Sequence, residues 1–574
     1  MLIRLIERAL RRRDSTSGAG ALALQRADQF EAAGTLDQAV EAYREALALD
    51  PGNAVGWNNL GWTLQRLERL EEALDTYQQA LALDPGLVIA RNNVGTIHRL
   101  LGNLDAAFAE YLTALGDAPH DAVTQINLGT VLLKQGDAER ALVYFRGAVA
   151  MMPQLEEAHR ALLLAMNYLP GVDPAEAFAY CRTWGIRCAA RVQRRQPRRD
   201  TDPRRRLRVG YVSPDFRIHA MAPFIEQMLA NHNAGSVEVF CYDNSPAKDA
   251  VSARMQGYPA LWRDIRGVDD DTAAGLVEQD HIDILVDLAG HTVGGRLELF
   301  ARRPAPVQIS LLGYLNTTGL DAMDYRISDV TTDPPGIAER YHVERMLRLP
   351  GSFWCFRPPD DAPDVTPSPM AASGHVTFGS FNNFAKLNHA VTDAWSGILH
   401  RCPGARLLVV AAPEGEARAR FLERFAAHGI DTARIELLGR LRLSEFRALH
   451  ARVDIALDPF PYSGGATTCE SLWMGVPVVS LAGIFGFARS GASLLNALDL
   501  EELVAEDAGE YVECATRLGA DHSRLGDLRR SLRQRMRGSE LTDGARFVAK
   551  LELAYRSAWH DWCGVPHSGP QRAG

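Results

Sequence analysis

The sequence predicts an α-solenoid followed by two α/β domains with parallel sheets, and three observations lead to this fold class. Residues recur with a 34-residue step over the first third of the chain. From Leu207 onward, short apolar runs alternate with helical stretches, as in parallel sheets covered by helices on both faces. A loop rich in proline and aspartate, from Pro358 to Pro369, separates these runs into two sets. The 574 residues suffice for three or four domains of about 150 residues each.

The repeat is marked by residues that return at the same position in each unit. Proline recurs at Pro51, Pro85, Pro119 and Pro153, where a second helix has to stop. The other series with this step are Ala39, Ala73, Ala107 and Ala141; Tyr43, Tyr77, Tyr111 and Phe145; Ala46, Ala80, Ala114 and Ala148; and Gly61, Gly95 and Gly129. Two helical patterns per unit, with small residues where helices approach, resemble the tetratricopeptide repeat. We therefore predict a tetratricopeptide superhelix whose concave surface binds peptide.

Three asparagines share the 34-residue step: Asn59, Asn93 and Asn127. Equivalent positions on successive first helices place their side chains in a row along the superhelix. A primary amide both donates to and accepts from a peptide backbone, so this row suits an acceptor segment of any sequence. The alternative interpretation of the same spacing is a solvated polar helix face.

The α/β part contains two sets of predicted strands. The first set is Leu207–Ser213, Val237–Tyr242, Ile284–Leu288, Val307–Gly313 and Tyr325–Ser328. The second set is Val376–Ser380, Arg406–Ala411, Ile435–Leu438, Val453–Leu457 and Val478–Leu481. Two Rossmann-like domains in tandem predict a cleft that holds its ligand at the carboxyl ends of the strands. No G-x-G-x-x-G turn follows the first strand and no G-x-x-x-x-G-K-[ST] occurs, which disfavours dinucleotide redox chemistry and nucleoside triphosphatase activity.

The loop from Asp458 to Gly475 is a candidate diphosphate site. It follows a predicted strand, and glycines such as Gly465 let the backbone approach a ligand closely. Thr467 and Thr468 add hydroxyl donors at the start of a short helix, whose free N–H groups and dipole favour an anion. A glycine-rich turn without a ligand is the alternative.

Lys386 ends a second candidate stretch, Phe378 to Lys386. The chain has only four lysines among its 62 basic residues: Lys134, Lys248, Lys386 and Lys550. A lysine directly after a strand end is therefore unusual in this chain. A compact ammonium at that place can neutralise the charge that builds on a departing diphosphate.

Two histidines, His219 and His291, each follow a predicted strand of the first α/β domain. Loops at the carboxyl ends of parallel strands face one cleft, so both side chains are candidates to border it. A histidine with a near-neutral pKa suits removal of a proton from an attacking hydroxyl. A structural hydrogen bond within the loop is the alternative for each.

Six stretches in order resemble one known family. They are Gly210 to His219, Gly290 to Thr292, Arg303 to Gln308, Leu312 to Gly319, Phe378 to Lys386, and Gly464 to Gly475. From Leu207 to about Gly564 the chain is similar to the catalytic region of the SPINDLY and O-GlcNAc-transferase family, and the repeat array matches that family's architecture. The resemblance implies an inverting, metal-independent glycosyltransferase of the GT-B type that modifies Ser or Thr of proteins.

The resemblance also implies catalytic roles. His219 is the favoured base or positioning residue beside the acceptor hydroxyl, with His291 as the second candidate. Lys386 is expected on the donor diphosphate.

The donor-binding set implied by the resemblance covers both domains. Thr467 and Thr468 are expected to hold the phosphates, Gln308 to border the donor pocket, and Glu470 to bind the donor ribose. Asn383 and Gly465, from the same two stretches, complete this set.

The donor itself is expected to be UDP-GlcNAc, with GDP-fucose as the alternative. Leu443 and Phe446 stand near the positions where animal members have a lysine and a histidine around the donor base, and Ala466 replaces a histidine. The stretches Phe378 to Lys386 and Thr467 to Leu472 look closer to the plant SPINDLY branch, whose donor is GDP-fucose. A non-catalytic scaffold with a donor-sensing module, and a transferase acting on small molecules or asparagine, are further alternatives.

The expected organisation assigns every part of the chain. We expect a leader helix over 1–20, repeats over 21–168, a helical and arginine-rich linker over 169–206, Rossmann-like domains over 207–372 and 373–564, and a flexible tail over 565–574. The net charge of −9 gives no nucleic-acid footprint, and no apolar run of about 18 residues predicts a membrane span.

The eight scattered cysteines form no C-x-x-C pair, which favours reduced thiols, a cytoplasmic location and no metal site. No cofactor is expected beyond the nucleotide-sugar substrate. Acceptor proteins held in the tetratricopeptide groove and the nucleotide-sugar are the expected partners, with a homodimer as a further one.

Overall fold

The computed structural model describes residues 18–196 and 201–565. These residues form two compact units, one running to Ala165 and including 413–420, the other comprising Met166 to Ala412 and the chain from Phe421 onward. Most of the expected leader helix and nearly all of the expected tail, residues 1–17 and 566–574, lie outside the described residues. Residues 18–20, the described end of the leader, already belong to the first helix of the array.

The first unit is the predicted helical array. Its helices are α1 (Gly18–Ala32), α2 (Leu36–Leu49), α3 (Ala54–Arg66), α4 (Leu70–Leu83), α5 (Val88–Leu100), α6 (Leu104–Asp117), α7 (Ala122–Lys134), α8 (Ala138–Met151) and α9 (Glu156–Met166), the last of which ends in the second unit. Each of the prolines at positions 51, 85, 119 and 153 follows the end of a second helix, as the 34-residue step predicts. The α-solenoid is thus confirmed.

Three glycines show why the repeat needs small residues at one position. A Cβ atom at Gly61 would lie 2.7 Å from the Tyr77 ring, and one at Gly95 the same distance from Tyr111. At Gly129 it would lie 2.5 Å from the Phe145 ring. Because real Cβ atoms do not approach this closely, each glycine lets an aromatic ring of the second helix pack directly on the first-helix backbone. Each glycine of the repeat is therefore the contact partner of the aromatic residue in the same unit.

The second unit contains two parallel sheets, and the first has the strand order β3-β2-β1-β4-β5-β6-β7. The strands are β1 (Leu207–Ser213), β2 (Val237–Asp243), β3 (Leu261–Asp264), β4 (Ile284–Asp287), β5 (Val307–Ser310), β6 (Tyr325–Ser328) and β7 (Arg345–Arg348). The helices before and between them are α10 (Pro174–Ala190), α11 (Ala222–Asn231), α12 (Ala250–Gln256), α13 (Asp270–Gln279) and α14 (Leu297–Ala301).

The second sheet has the order β10-β9-β8-β11-β12-β13. Its strands are β8 (Thr377–Ser380), β9 (Arg406–Val409), β10 (Ile435–Leu437), β11 (Ile455–Leu457), β12 (Val478–Leu481) and β13 (Val504–Ala505). The helices are α15 (Met370–Ser373), α16 (His389–Arg401), α17 (Glu416–Ala427), α18 (Leu443–Leu449), α19 (Ala466–Trp473), α20 (Ser490–Asn496), α21 (Ala508–Ala520), α22 (His522–Gly538) and α23 (Gly544–Cys563).

All ten predicted strands exist, and three further strands were missed. The missed strands are β3, β7 and β13, and each lies at the edge of its sheet. An edge strand is covered on fewer sides, so its sequence lacks the continuous apolar run that identifies a central strand. Both end residues of β3 are exposed, and β7 begins and ends with arginine.

The expected linker over 169–206 is in fact part of the first α/β domain. Trp184 and Cys188 of α10 are fully buried in the core that covers β4 and β2. The described arginines that follow pair with carboxylates of this domain: Arg195 Nη2 lies 2.9 Å from Asp271 Oδ1, and Arg205 Nη1 lies 3.4 Å from Asp283 Oδ1. Arg195 and Arg205 therefore attach the segment after α10 to this domain, while residues 197–200 lie outside the described residues.

The expected boundary of the second α/β domain at 564 also needs correction. Helix α23 leaves that domain and packs against the first sheet, where Tyr555 Oη lies 3.1 Å from Tyr211 Oη on β1. Tyr325 Oη on β6 donates to Asp561 Oδ2 at 2.6 Å, and Trp559 is fully buried. The first domain is thus built from two separate stretches of sequence. Among the helices between residues 18 and 565, none combines the length and apolar character needed to cross a bilayer.

Candidate active site

Two neighbouring strands of the second sheet bring the predicted donor residues together. Strands β8 and β11 are paired in parallel, with Phe378 opposite Ile455 and Gly379 opposite Ala456. The segments that follow them, 381–386 and 458–465, therefore leave the same edge of the sheet. This is the carboxyl edge, where the sequence predicts the ligand.

Lys386 lies at this edge at the end of a short 3₁₀ turn, Phe384–Lys386. Its Nζ donates to the carbonyl of Ser463 at 2.9 Å and to Asn382 Oδ1 at 3.2 Å. The ammonium also lies 4.5 Å from the centre of the Tyr462 ring, a cation–π distance. Burial lowers the pKa of Lys386 to about 8, and the negative charge of Asp458 opposes that shift. The side chain is thus still largely protonated at neutral pH, with neutral groups as its direct partners.

Asp458 anchors the loop that precedes α19. It is 2 % exposed, and its carboxylate accepts hydrogen bonds from Thr468 Oγ1 at 3.2 Å and Ser480 Oγ at 3.0 Å. Burial raises the pKa of Asp458 above its usual value, opposed by the charge of Lys386 and by these hydroxyl donors. The carboxylate fixes the start of α19 relative to β12.

The start of α19 presents the two threonines as predicted. Thr467 Oγ1 donates to Asn382 Oδ1 at 3.1 Å, and a Cβ atom at Gly464 would lie within 2.7 Å of both threonine hydroxyls. Only glycine therefore fits at Gly464. Gly465 is the N-cap and packs against Trp354, whose ring would be 3.0 Å from an added Cβ. Helix N–H groups, hydroxyls and an ammonium in one place make a site that can hold a diphosphate.

Glu470 lies one helical turn further along α19. Its Oε2 is 3.6 Å from Arg447 Nε on α18, and Arg447 Nη1 donates to Asp361 Oδ1 at 2.5 Å. Burial raises the pKa of Glu470, while the positive charge of Arg447 opposes the shift. Arg447 was not singled out from the sequence, because nothing distinguishes it there from the many other arginines.

His219 lies on the first domain, just before α11. Its Nδ1 is 3.4 Å from Asp215 Oδ2 and 3.3 Å from the backbone nitrogen of Met221. Burial and the charge of Arg217 lower the pKa of His219, so the ring is uncharged near neutral pH. Burial also raises the pKa of Asp215 to about 6. The side chain of His219 keeps 37 % exposure, which leaves it accessible to a substrate.

An aromatic bridge joins the His219 side of the unit to the phosphate loop. Phe224 on α11 packs edge-on against Trp354 with ring centres 5.0 Å apart. The Trp354 ring also packs against Gly465. The helix that begins after His219 is therefore in packed contact, through one indole ring, with the N-cap residue of the helix that carries Thr467.

Two predicted site residues have structural partners instead. His291 is 1 % exposed, its Nε2 lies 2.9 Å from the carbonyl of Thr318, and its ring packs edge-on against Trp184 and Tyr314. Gln308 is fully buried, and its Nε2 donates to the carbonyls of Phe300 and Ala322, both at 2.8 Å. Neither side chain is open to a ligand, because each one serves the interior of the first domain.

Asn383 differs from its neighbour Asn382 in a way that the sequence does not reveal. Asn383 is exposed and accepts a hydrogen bond from the Ala385 backbone, so it caps the turn. Asn382 is 4 % exposed and contacts Lys386, Thr467 and Asp458. The structure thus brings together Lys386, Thr467, Thr468 and Gly465, adds Asn382 and Tyr462, and leaves Asn383 at the surface.

The predicted asparagine row of the first unit exists with additional members. Asn93 Nδ2 donates to Asn58 Oδ1 at 2.9 Å, and Asn127 Nδ2 lies 3.4 Å from Asn92 Oδ1. Asn59 lies 3.4 Å from Asn58 and is buried. The amides therefore bond from one first helix to the next through Asn58 and Asn92, which the period alone did not identify.

Two Rossmann-like domains with a cationic, helix-terminated strand edge fit a glycosyltransferase of the GT-B type, and comparison with known proteins supports this class. Residues 185–356 and 370–551 match the model of Glycosyl transferase family 41, and tetratricopeptide models match residues 20–63, 54–87 and 122–152. The chain belongs to glycosyltransferase family 41.

Individual relatives agree with this assignment. The chain is 40 % identical over 419 residues to a protein of Petunia hybrida named probable UDP-N-acetylglucosamine–peptide N-acetylglucosaminyltransferase SPINDLY, covering 72 % of this chain and 45 % of the relative. It is 29 % identical to a protein of Arabidopsis thaliana with the same enzyme name and the designation SEC, covering 69 % and 44 %. The chain therefore spans less than half the length of these curated relatives.

A solved structure shows the same fold over nearly the whole chain. A mutant of the O-GlcNAc transferase of Thermobaculum terrenum superposes with a TM-score of 0.84 at 35 % identity. The match covers 89 % of this chain and 98 % of that one. The predicted combination of a helical array with a GT-B catalytic region is confirmed.

Proposed function

We propose that the protein transfers a sugar from a nucleotide diphosphate donor to Ser or Thr hydroxyls of proteins recruited by its tetratricopeptide array. One observation carries the proposal: Lys386 presents a positive charge, bonded only to neutral groups, beside the N-terminus of α19. Such a charge is available to the leaving diphosphate.

The proposed step is a single displacement with inversion. The acceptor oxygen forms a bond to the anomeric carbon while the bond to the diphosphate breaks, and its electron pair goes to the phosphate oxygen. Lys386 and the backbone N–H groups at the start of α19, where Thr467 lies, stabilise that charge. The hydroxyl proton passes to Nε2 of His219 and then to water.

His219 has to be in one of its two neutral tautomers to accept this proton. If Nδ1 accepts the Met221 N–H, the ring hydrogen is on Nε2 and that nitrogen has no lone pair to offer. If Nδ1 carries the hydrogen and donates it to Asp215, Nε2 is basic. We propose that the second tautomer reacts, with Asp215 orienting the ring.

The donor proposed first is UDP-GlcNAc, which the names of the SPINDLY and SEC relatives support. GDP-fucose is the second candidate, because the stretches around Lys386 and Thr467 resemble the SPINDLY branch. Glu470, beside Arg447 on the same helix as Thr467, is proposed to accept hydrogen bonds from the donor ribose. The acceptor is proposed to be an extended protein segment, since the half-buried amides of Asn93 and Asn127 suit a peptide backbone, whereas that of Asn59 is buried.

The test uses the purified full chain with UDP-GlcNAc or GDP-fucose and candidate acceptor proteins. Nucleotide release is followed over time, and mass spectrometry identifies the modified side chain. Lys386→Ala is expected to lower kcat by roughly 10²- to 10³-fold, the effect of losing one preorganised electrostatic group. Lys134→Ala, which removes an exposed lysine of the array, is the matched control and should release nucleotide at the wild-type rate.

Two results contradict the proposal. Equal turnover by wild type and Lys386→Ala removes the lysine from the reaction, and nucleotide binding without transfer to any acceptor favours a donor-sensing scaffold. Metal independence is part of the proposal, so turnover should survive excess EDTA.

A further inference from the structure

Asn382 contacts three residues of the proposed donor site, each from a different segment. Its Oδ1 accepts from Lys386 Nζ at 3.2 Å and from Thr467 Oγ1 at 3.1 Å. Its Nδ2 donates to Asp458 Oδ1 at 3.3 Å. The amide therefore links the turn after β8, the loop after β11 and the first turn of α19.

The orientation of this amide is determined by its neighbours. An ammonium only donates hydrogen bonds, and a carboxylate only accepts them. The oxygen must face Lys386 and the NH₂ group must face Asp458, because the flipped amide would set donor against donor and acceptor against acceptor. Asn382 is also buried, so water does not compete for these bonds.

The amide separates a positive and a negative charge. Lys248 and Lys550 each form an ion pair with a carboxylate, whereas Lys386 forms none within the described residues. Asp458 is close enough to affect Lys386 electrostatically, yet the group in direct contact with the ammonium is the neutral amide. An ammonium bonded to a carboxylate would already be neutralised, and a diphosphate would have to displace that partner.

The bonds at Lys386 and Thr467 converge on a single atom. Two of the three ammonium protons are directed to Asn382 and Ser463, which orients the third. The Thr467 hydroxyl is held by the same Asn382 oxygen. A change at Asn382 therefore disturbs both groups together.

We propose that Asn382 is a positioning residue that holds Lys386 and, through Thr467, the first turn of α19 toward one diphosphate while keeping the Asp458 carboxylate off the ammonium. This inference rests on the proposed function, since the diphosphate is that of the donor. It also explains why an amide occupies this position, where an aliphatic side chain or a carboxylate of similar size would fit less well.

The first test is Asn382→Ala in the full chain. We expect kcat/KM for the donor to fall about 10- to 100-fold, the range for losing hydrogen bonds to a charged group. Binding of UDP and GDP, measured by isothermal titration calorimetry, should weaken in parallel. The matched control is Asn233→Ala, which should behave as wild type. It removes an exposed asparagine from the turn between α11 and β2, where its side chain accepts a hydrogen bond from the Gly235 backbone.

The second test is Asn382→Asp, which keeps the shape and changes the charge. The groups facing position 382 are Lys386, Asp458 and the Thr467 hydroxyl. Two carboxyl groups this close share one proton at low pH, and the protonated form imitates the amide. As pH rises the proton is lost, and a new carboxylate pairs with Lys386 and repels the diphosphate. Below the pKa of Lys386, which is about 8, the ratio of variant to wild-type kcat/KM should therefore fall as pH rises, whereas the ratio for Asn382→Ala should stay flat.

Each result has one meaning. Asn382→Ala within twofold of wild type, or a ratio for Asn382→Asp that does not change with pH, overturns the inference. If Asn382→Ala melts at a lower temperature than wild type, the pH dependence of the isosteric Asn382→Asp variant still tests the inference. If wild type transfers no sugar, the proposed function fails. In that case equal UDP and GDP affinities of wild type and Asn382→Ala overturn the inference separately, and weaker binding by the variant supports it.

Discussion

The aromatic ring beside Lys386 provides a test of what stabilises the charged form of this lysine. Tyr462→Leu removes a ring whose centre lies 4.5 Å from the ammonium. A cation–π contact contributes roughly 0.5 kcal/mol at exposed sites and about 2 kcal/mol when desolvated. Lys386 is half-buried, so we expect its charged form to lose about 1–2 kcal/mol of stabilisation, which lowers kcat/KM roughly 5- to 30-fold at pH values above the pKa of the lysine.

The same substitution should change the pH profile in a defined direction. Burial already lowers the pKa of Lys386 to about 8, so wild-type kcat/KM should decline as pH rises through that value. The ring stabilises the charged form of the lysine. Its removal lowers the pKa further, and the alkaline limb of the profile should move to lower pH.

Two companion variants separate charge stabilisation from packing. Tyr462→Phe keeps the ring and should stay within about twofold of wild type. Phe487→Leu loosens the stack behind the ring, where Tyr462 and Phe487 have centres 5.2 Å apart, without removing the face that Lys386 contacts. Nucleotide release measured from pH 6 to pH 9.5 supplies the profiles. If Tyr462→Leu leaves the alkaline limb in place, or if Tyr462→Phe is equally damaged, the cation–π argument is wrong.

Two further substitutions test the packing of the array and of the first domain. Gly129→Ala should destabilise the chain by about 1–3 kcal/mol in urea unfolding, because its methyl group would lie 2.5 Å from the Phe145 ring. Gly116→Ala, with nothing within 4 Å of the new atom, should instead stabilise its helix by up to about 1 kcal/mol, and equal losses for both would refute the contact argument. Gln308→Leu removes one of the two donors from each of the carbonyls of Phe300 and Ala322, which keep their bonds from Arg303, so we expect about 1–2 kcal/mol of destabilisation and an unchanged KM for the nucleotide-sugar. A raised KM with full stability would instead support the donor-pocket role that the sequence predicts for Gln308.

The central strands of both sheets were predictable because a strand that is buried on both faces has a continuous run of apolar residues in the sequence. Leu207–Ser213, Tyr325–Ser328 and Val478–Leu481 have the predicted bounds. Of the four edge strands, only β10 was predicted, and the other three were not predictable, since a segment such as Leu261–Asp264 has polar residues that solvent accommodates. Helix α23 was assigned to the wrong domain for a different reason. A helical pattern shows that one face is buried, but it does not show against which sheet.

A site residue was predictable where its residue type is rare in the chain. It was not predictable where two identical residues are adjacent in the sequence. Lys386 stood out as one of four lysines. Asn382 and Asn383 are chemically the same, and only the backbone turn decides which one faces Asp458. The histidines illustrate a similar limit, because His219 and His291 both follow strands, yet one remains accessible and the other is enclosed by Trp184 and Tyr314.

The position of α23 has a consequence for how the chain is made. During synthesis the seven strands of the first sheet leave the ribosome long before residues 544–563, because the entire second sheet lies between them. Until the helix arrives, Tyr211 lacks Tyr555 and the sheet edge near Tyr325 lacks Asp561. The first domain therefore stays incompletely covered while the second sheet is synthesised, and its final assembly step is the docking of a helix that follows that sheet in the sequence.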